Sequence, residues 1–157
     1  MKDYPSLPNP YIGYLFSVIF VVSVFNSYDK KTDYAIQLSI VLLSWIYYLY
    51  VVYTLHEDIQ VRYNNQYKIS PLTATLYHII PFYNVYWLYK WTESYCTYVN
   101  TKENEKILNR YLIVLFIMSG PPLAKYDFVI AYTVTTTGLL LLIKGTKVLI
   151  AMPEIVN

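Results

Sequence analysis

Long apolar runs alternate along the chain with short charged clusters. The runs cover residues 11–27, 34–56, 107–120 and 126–144. A helix needs about 20 apolar residues to cross a bilayer, and charges confined to the ends of such runs are typical of membrane proteins. The pattern therefore predicts an all-α integral membrane protein with about four transmembrane helices. It also predicts that residues 1–157 form one membrane domain.

The stretch 71–99 departs from this pattern and decides the topology. Leu72 to Ile80 is too short to cross a hydrocarbon core of about 30 Å at about 1.5 Å per residue. Pro81 then removes an amide donor and disfavours helical geometry at Ile80. If the helix only kinks at Pro81, residues 72–91 span the bilayer. If it breaks, the two arms form a re-entrant or interfacial element, which requires that protein or water cover the backbone.

Positive charge favours the broken helix. With a re-entrant central stretch, only Lys30, Lys31 and Lys125 of the twelve Lys and Arg residues lie outside. A spanning stretch would place four of the twelve outside. Because cytoplasmic loops collect Lys and Arg, the sequence predicts four crossings with both termini cytoplasmic.

Composition narrows the range of functions. Hydrophobic residues make up 56% of the chain and charged residues 14%, against about 25% charged in soluble domains. A net charge of +2 without a basic stripe argues against nucleic acid as a partner. Cys96 is the only cysteine, which excludes an intramolecular disulfide and a multi-thiolate zinc site.

Small residues recur at helical spacing in two of the apolar runs. Gly13 and Ser17 are four residues apart in the first run, and Ala131, Thr135 and Gly138 follow a similar spacing in the last. Small residues at such positions let membrane helices approach closely. These five positions are the predicted helix-packing residues.

A dense aromatic group follows the proline break. The candidate interaction or lipid-facing residues are Pro81, Phe82, Tyr83, Asn84, Tyr86, Trp87, Lys90 and Trp91. Aromatic rings beside a lysine are typical of the boundary between hydrocarbon and head groups. The group could bind lipid head groups or a partner helix, or it could simply anchor the protein at the interface.

The sequence offers little catalytic chemistry. No phosphate loop, nucleophile elbow or zinc-binding helix occurs, so no catalytic residue and no cofactor is predicted. His78 is a weak candidate ligand for a metal, as in a haem or pigment site; the alternative is a hydrogen-bonded interfacial histidine. His56 adjoins Glu57 and Asp58, and we expect it at a solvated helix exit.

The order of residues around Pro81 resembles a bacterial family. Pro71 and Ala74 precede Ile80-Pro81-Phe82-Tyr83-Asn84-Val85-Tyr86-Trp87, and Asn100 closes the polar helix that follows. This is similar to the Ile-Pro-Phe-Phe-Asn-x-Tyr-Trp signature of small polytopic bacterial membrane proteins of unknown function, with Tyr83 in place of the second Phe. The resemblance covers about thirty residues. It implies an inner-membrane protein of roughly four helices and implies no activity.

Three functional hypotheses follow from the sequence. The first is a non-enzymatic membrane interaction protein, such as an accessory subunit of a larger complex, with the lipid bilayer and other membrane subunits as partners. The second is a small channel or lipid-handling protein in which the Pro81 break lines a cavity. The third is a haem- or pigment-binding protein that uses His78.

Overall fold

The computed structural model describes residues 7–9, 11–25, 30–80, 83–123 and 128–152. The side chains of residues 23–25, 30–34, 121–123 and 128 are outside this description. The described residues form six helices and no strand: α1 (Ile12–Phe25), α2 (Lys30–Arg62), α3 (Pro71–Tyr77), α4 (Tyr83–Glu103), α5 (Arg110–Leu123) and α6 (Phe128–Ala151). The predicted all-helical class is confirmed.

Two of these helices are long and apolar enough to cross a membrane. Candidate spans cover Ala35–Arg62 in α2 and Val129–Ala151 in α6. The apolar parts of the 14-residue helices α1 and α5 are shorter, and such a helix is about 21 Å long. The structure therefore shows two candidate spans, and crossing by α1 and α5 stays a prediction.

Helix α2 is longer than the apolar run from which it was predicted. It begins at Lys30 instead of residue 34 and ends at Arg62 instead of residue 56. Lysine is a good helix former, and a charged cluster does not by itself stop a helix. After Arg62, Asn64 and Asn65 have φ of 51° and 60°, a left-handed geometry that ends the helix.

Helix α5 begins later and ends later than expected. The Asn109 side chain accepts a hydrogen bond of 3.2 Å from the Leu112 amide, an N-cap that sets the helix start at Arg110. The helix then continues past Gly120 to Leu123. Pro121 and Pro122 have no amide proton, so the last turn of α5 lacks two of the usual backbone hydrogen bonds. Asp127, which precedes α6, lies outside the described residues.

Helix α6 packs against α1, α2 and α5. Along α1, Tyr14 bonds Thr137 at 2.8 Å, and Ser17 accepts from Thr133 at 3.3 Å, so the two helices run antiparallel. Gly13 lies against Thr136 in the same contact.

The contact between α5 and α6 is antiparallel too. Gly138 lies against Ile117, and Thr135 and Ala131 lie against Gly120. All five predicted packing residues therefore stand at contacts between α6 and a neighbour, where small side chains allow close approach.

A large apolar surface remains uncovered. Side chains of α1 such as Leu15 and Val18, and of α2 such as Leu42 and Ile46, are more than half exposed. An exposed apolar surface of this extent is unusual for a soluble protein and suits contact with lipid.

Helices α3 and α4 form a hairpin that starts and ends at the same end of α2. Before α3, the Gln60 side chain donates to the carbonyls of Tyr67 (2.7 Å) and Ile69 (3.2 Å). At the end of α4, Glu103 binds Arg62. The far end of the hairpin lies beside Tyr48, which precedes Arg62 by about 21 Å of helix. Pro81 and Phe82 lie outside the described residues.

The contact between α5 and α6 can be tested by placing a larger side chain at Gly138. A Cβ on Gly138 would lie 3.2 Å from the Ile117 amide nitrogen. We expect Gly138→Val to lower the free energy of unfolding by about 1–3 kcal/mol through overpacking. Ala35→Val introduces the same side chain at an exposed position of α2. It should change stability by less than about 0.5 kcal/mol. Equal effects in a chemical unfolding titration would contradict the assigned contact.

Candidate functional site: a cavity at the tip of the helical hairpin

Two tryptophans of α4 hold the hairpin in place. The Trp87 indole donates to the Ala74 carbonyl of α3 at 3.0 Å, and the Trp91 indole donates to His56 Nε2 of α2. The two residues are four positions apart and so lie on the same face of α4. Trp87 is nearly buried and Trp91 is fully buried. One face of α4 thus joins both α3 and α2.

This burial divides the predicted lipid-facing group. Tyr83, Tyr86 and Lys90 are exposed, Asn84 is half-buried, and Trp87 and Trp91 point inward. Adjacent residues on a helix face different directions, so a continuous aromatic run cannot form a single surface. The two tryptophans therefore contribute to packing, not to a lipid-facing surface.

His56 is buried, and the prediction of a solvated helix exit at this position is wrong. The ring is completely buried among Tyr67, Trp91 and Tyr95, and neighbouring Asp58 is 1% exposed. The aromatic face of α4 covers this turn of α2. An indole N–H only donates, so Nε2 accepts and the proton of the neutral ring is on Nδ1. His56 is thus an anchor for Trp91.

A cavity of about 430 Å³ lies at the tip of the hairpin. It is enclosed by α2, α5, α6 and the two arms of the hairpin. Its walls are Val41, Leu42, Ser44, Trp45, Tyr48, His78, Asn84, Val85, Leu88, Gly120, Ala131, Tyr132, Thr135, Thr136 and Leu139. The volume is within the range of about 300–1,000 Å³ found for small-molecule pockets. No Asp, Glu, Lys or Arg is among these residues.

The cavity opens on the apolar outer surface. Leu42, Trp45 and Val85 line it and are each 41–53% exposed. They belong to α2 and to the start of α4, so the opening lies between these two helices. An apolar ligand could enter there without crossing a polar surface.

His78 lines this cavity and has one unpaired nitrogen. Its Nδ1 bonds the Ala74 carbonyl at 2.7 Å, the same oxygen that accepts from Trp87. A carbonyl only accepts, so Nδ1 carries the proton, and Nε2 of the neutral ring is an acceptor. Nε2 is buried and has no hydrogen-bond partner in the described part of the chain.

The Tyr48 hydroxyl is the second unpaired atom. It is buried and lacks a partner among the described residues, and its ring packs edge-on against His78 with centroids 5.3 Å apart. Two hydroxyls of the wall are satisfied locally: Ser44 donates to the Val41 carbonyl and Thr135 to the Ala131 carbonyl. The two buried unpaired atoms, His78 Nε2 and the Tyr48 hydroxyl, thus belong to residues whose rings are in contact.

Sequence reasoning identified His78 and Asn84 at this site but not Tyr48 or Ser44. Residues 41, 44, 45 and 48 follow helical spacing and share one face of α2. That spacing is the sequence feature that could have indicated a shared wall. The feature is hard to recognise because the neighbouring positions of this helix are apolar as well.

A buried ion pair holds the base of the hairpin. Arg62 donates to both carboxylate oxygens of Glu103, at 3.0 and 3.1 Å, and Tyr63 donates at 2.7 Å. Arg62 also donates to the Met152 carbonyl at 3.2 Å. Burial alone would raise the pKa of Glu103, but the hydrogen bonds from Arg62 and Tyr63 and the charge of Arg62 hold it below its usual value. The pair joins the ends of α2, α4 and α6.

Comparison of the chain with models of known families, with curated proteins and with solved structures finds no match. The resemblance around Pro81 therefore stays a prediction. No group of three or more His, Cys, Asp or Glu residues that could hold a metal occurs in the described ranges.

The ion pair at the base predicts how stability depends on pH. A carboxyl whose pKa falls on folding stabilises the protein above its unfolded pKa of about 4.3, and this contribution disappears as pH drops through the folded pKa. Glu103→Gln should remove the pH-dependent stabilisation that Glu103 provides. It should also lower the free energy of unfolding by about 3 kcal/mol at neutral pH, because it leaves Arg62 buried without its anion.

Glu105→Gln is the matched control, because it makes the same change at an exposed residue. Unfolding titrations from neutral to acidic pH measure both variants. Wild-type stability that stays constant through the carboxyl range would contradict the role given to Glu103.

Proposed function

We propose that the protein is an integral membrane protein that binds a lipid-like ligand in the cavity at the tip of the α3–α4 hairpin. The observation that carries the proposal is the placement of His78 and Asn84. They lie on opposite sides of the Pro81 break, and both line a cavity that opens on the apolar outer surface. This is the lipid-handling hypothesis, in which the break itself forms part of the binding site.

The arrangement of the ends supports a re-entrant hairpin. Arg62 at the end of α2 and Glu103 at the end of α4 meet near Met152, which directly follows α6. We propose that this end, which collects most Lys and Arg residues, faces the cytoplasm, and that the hairpin enters the bilayer from it.

The walls suit an apolar ligand better than an ion. A channel for ions needs polar or charged groups along a continuous path, whereas this cavity has apolar walls and a lateral opening. The accessory-subunit hypothesis stays a prediction, since the exposed face of α4 that carries Tyr86 and Lys90 suits contact with lipid or with a partner.

Photo-crosslinking tests lipid binding. The purified protein in nanodiscs is irradiated with the methyl ester of a diazirine-bearing palmitate, and labelled residues are identified by mass spectrometry. We expect labelling of residues 41–48 and 84–88. Val85→Trp should remove most of it, because the larger side chain occupies the opening of the cavity.

Val148→Trp is the control, since it introduces the same side chain at an exposed position of α6 outside the cavity. It should label as wild type does. Labelling spread evenly over the outer surfaces of α1 and α2, and unaffected by Val85→Trp, would refute a specific lipid site.

A further inference from the structure

We infer that the ligand of this cavity is a neutral amphiphile with a hydroxyl head group, a long-chain alcohol in its simplest form. The inference rests on the proposed lipid-binding function and specifies the chemistry of the ligand. Its basis is that two residues of the wall whose rings are in contact each carry a buried polar atom without a partner in the described part of the chain, His78 Nε2 and the Tyr48 hydroxyl.

The hydrogen-bonding roles of these atoms define the head group. His78 Nε2 can only accept, because the proton of the neutral ring is already committed to the Ala74 carbonyl. The ligand must therefore bring a donor. The Tyr48 hydroxyl can donate, so a ligand atom that also accepts would satisfy both. An alcohol oxygen donates one hydrogen bond and accepts others, and so meets both requirements with a single atom.

The absence of charged side chains from the wall excludes a charged head group at this position. A phosphate, a carboxylate or an ammonium buried here would lose its hydration without gaining an opposite charge, which is costly. His78 is itself 3% exposed and is packed against Tyr48, Trp87 and Trp91, with no carboxylate in these contacts. The neutral imidazole and a neutral ligand therefore suit each other.

The geometry of the opening places the rest of the ligand. The hydroxyl would bind at His78 and Tyr48, and the chain would pass between Leu42, Trp45 and Val85 to the apolar surface. An alkyl or isoprenoid chain can continue from there into the bilayer. The head group would thus lie inside the protein, and the tail would extend into lipid.

Competition with three matched probes tests this inference. Hexadecanol donates and accepts, methyl hexadecyl ether only accepts, and hexadecane does neither. Each probe is added to wild-type protein in nanodiscs, and its displacement of the photoactivatable methyl ester is measured. We expect hexadecanol to compete more strongly than the ether, by about three- to tenfold, the effect of one net hydrogen bond.

Two variants assign the preference to the named atoms. Tyr48→Phe removes the hydroxyl and keeps the ring packed on His78. His78→Asn keeps an amide donor near the position of Nδ1, so the bond to the Ala74 carbonyl can persist, and removes Nε2. Each should reduce the advantage of hexadecanol over the ether about three- to tenfold while displacement by hexadecane is unchanged. Tyr86→Phe changes an exposed tyrosine outside the cavity and should retain the full advantage of hexadecanol over the ether.

The outcomes separate the two proposals. Equal competition by all three probes would overturn the hydroxyl ligand and leave the lipid site standing. If no probe displaces the ester from residues 41–48, the lipid site itself fails. A visible absorption band in the purified protein would assign His78 Nε2 to a haem or pigment and overturn the inference, and so would stronger displacement by a phospholipid than by hexadecanol.

Discussion

The structure depends on matching the hydrogen bonds of a polar, aromatic helix inside an otherwise apolar bundle. Buried polar groups cost free energy unless they are paired. Helix α4 meets this requirement with a few long-range contacts: Trp87 to Ala74, Trp91 to His56, and Glu103 to Arg62. Together with the apolar packing of Trp91, Tyr95 and Val99 in the core, these contacts fix the position of the hairpin.

Hydrogen bonds also fix the contact between the hairpin and the start of α5. Asn100 bonds both backbone groups of Leu108, donating to its carbonyl at 2.7 Å and accepting from its amide at 2.9 Å. An asparagine amide can replace the missing backbone partner of a loop in this way. The connection from α4 to α5 is therefore fixed at the base, near the ion pair. The hairpin is held at its base and along its length.

Some of this arrangement could be predicted from the sequence. Pro81 in a short apolar run indicated a broken helix, and the clustering of positive residues indicated that Arg62 and the end of α4 share one end of the molecule. The small residues Gly13 and Gly138 indicated close helix contacts. These features are local or compositional, and a sequence displays them directly.

Other features required the tertiary structure. Aromatic residues occupy five of the nine positions from Tyr83 to Trp91 and fall on both faces of α4, so no helical period distinguished the buried face from the exposed one. His56 is next to Glu57 and Asp58, a polar triplet typical of solvent contact, yet α4 covers it. Tyr48 could not be identified because its role depends on α3 lying beside it. In each case, the decisive neighbour comes from a different helix.

The tip of the hairpin differs from its base in a way that links stability to binding. At the base, the Glu103 carboxylate is paired with Arg62 and Tyr63. At the tip, His78 Nε2 and the Tyr48 hydroxyl are buried without partners in the described part of the chain, and both residues line a cavity. An unsatisfied buried group costs about 1–3 kcal/mol. A ligand that pairs these atoms and fills the cavity recovers that cost on binding, so it stabilises the folded state in proportion to its occupancy. The tip therefore combines unpaired buried groups with space for a ligand that can pair them.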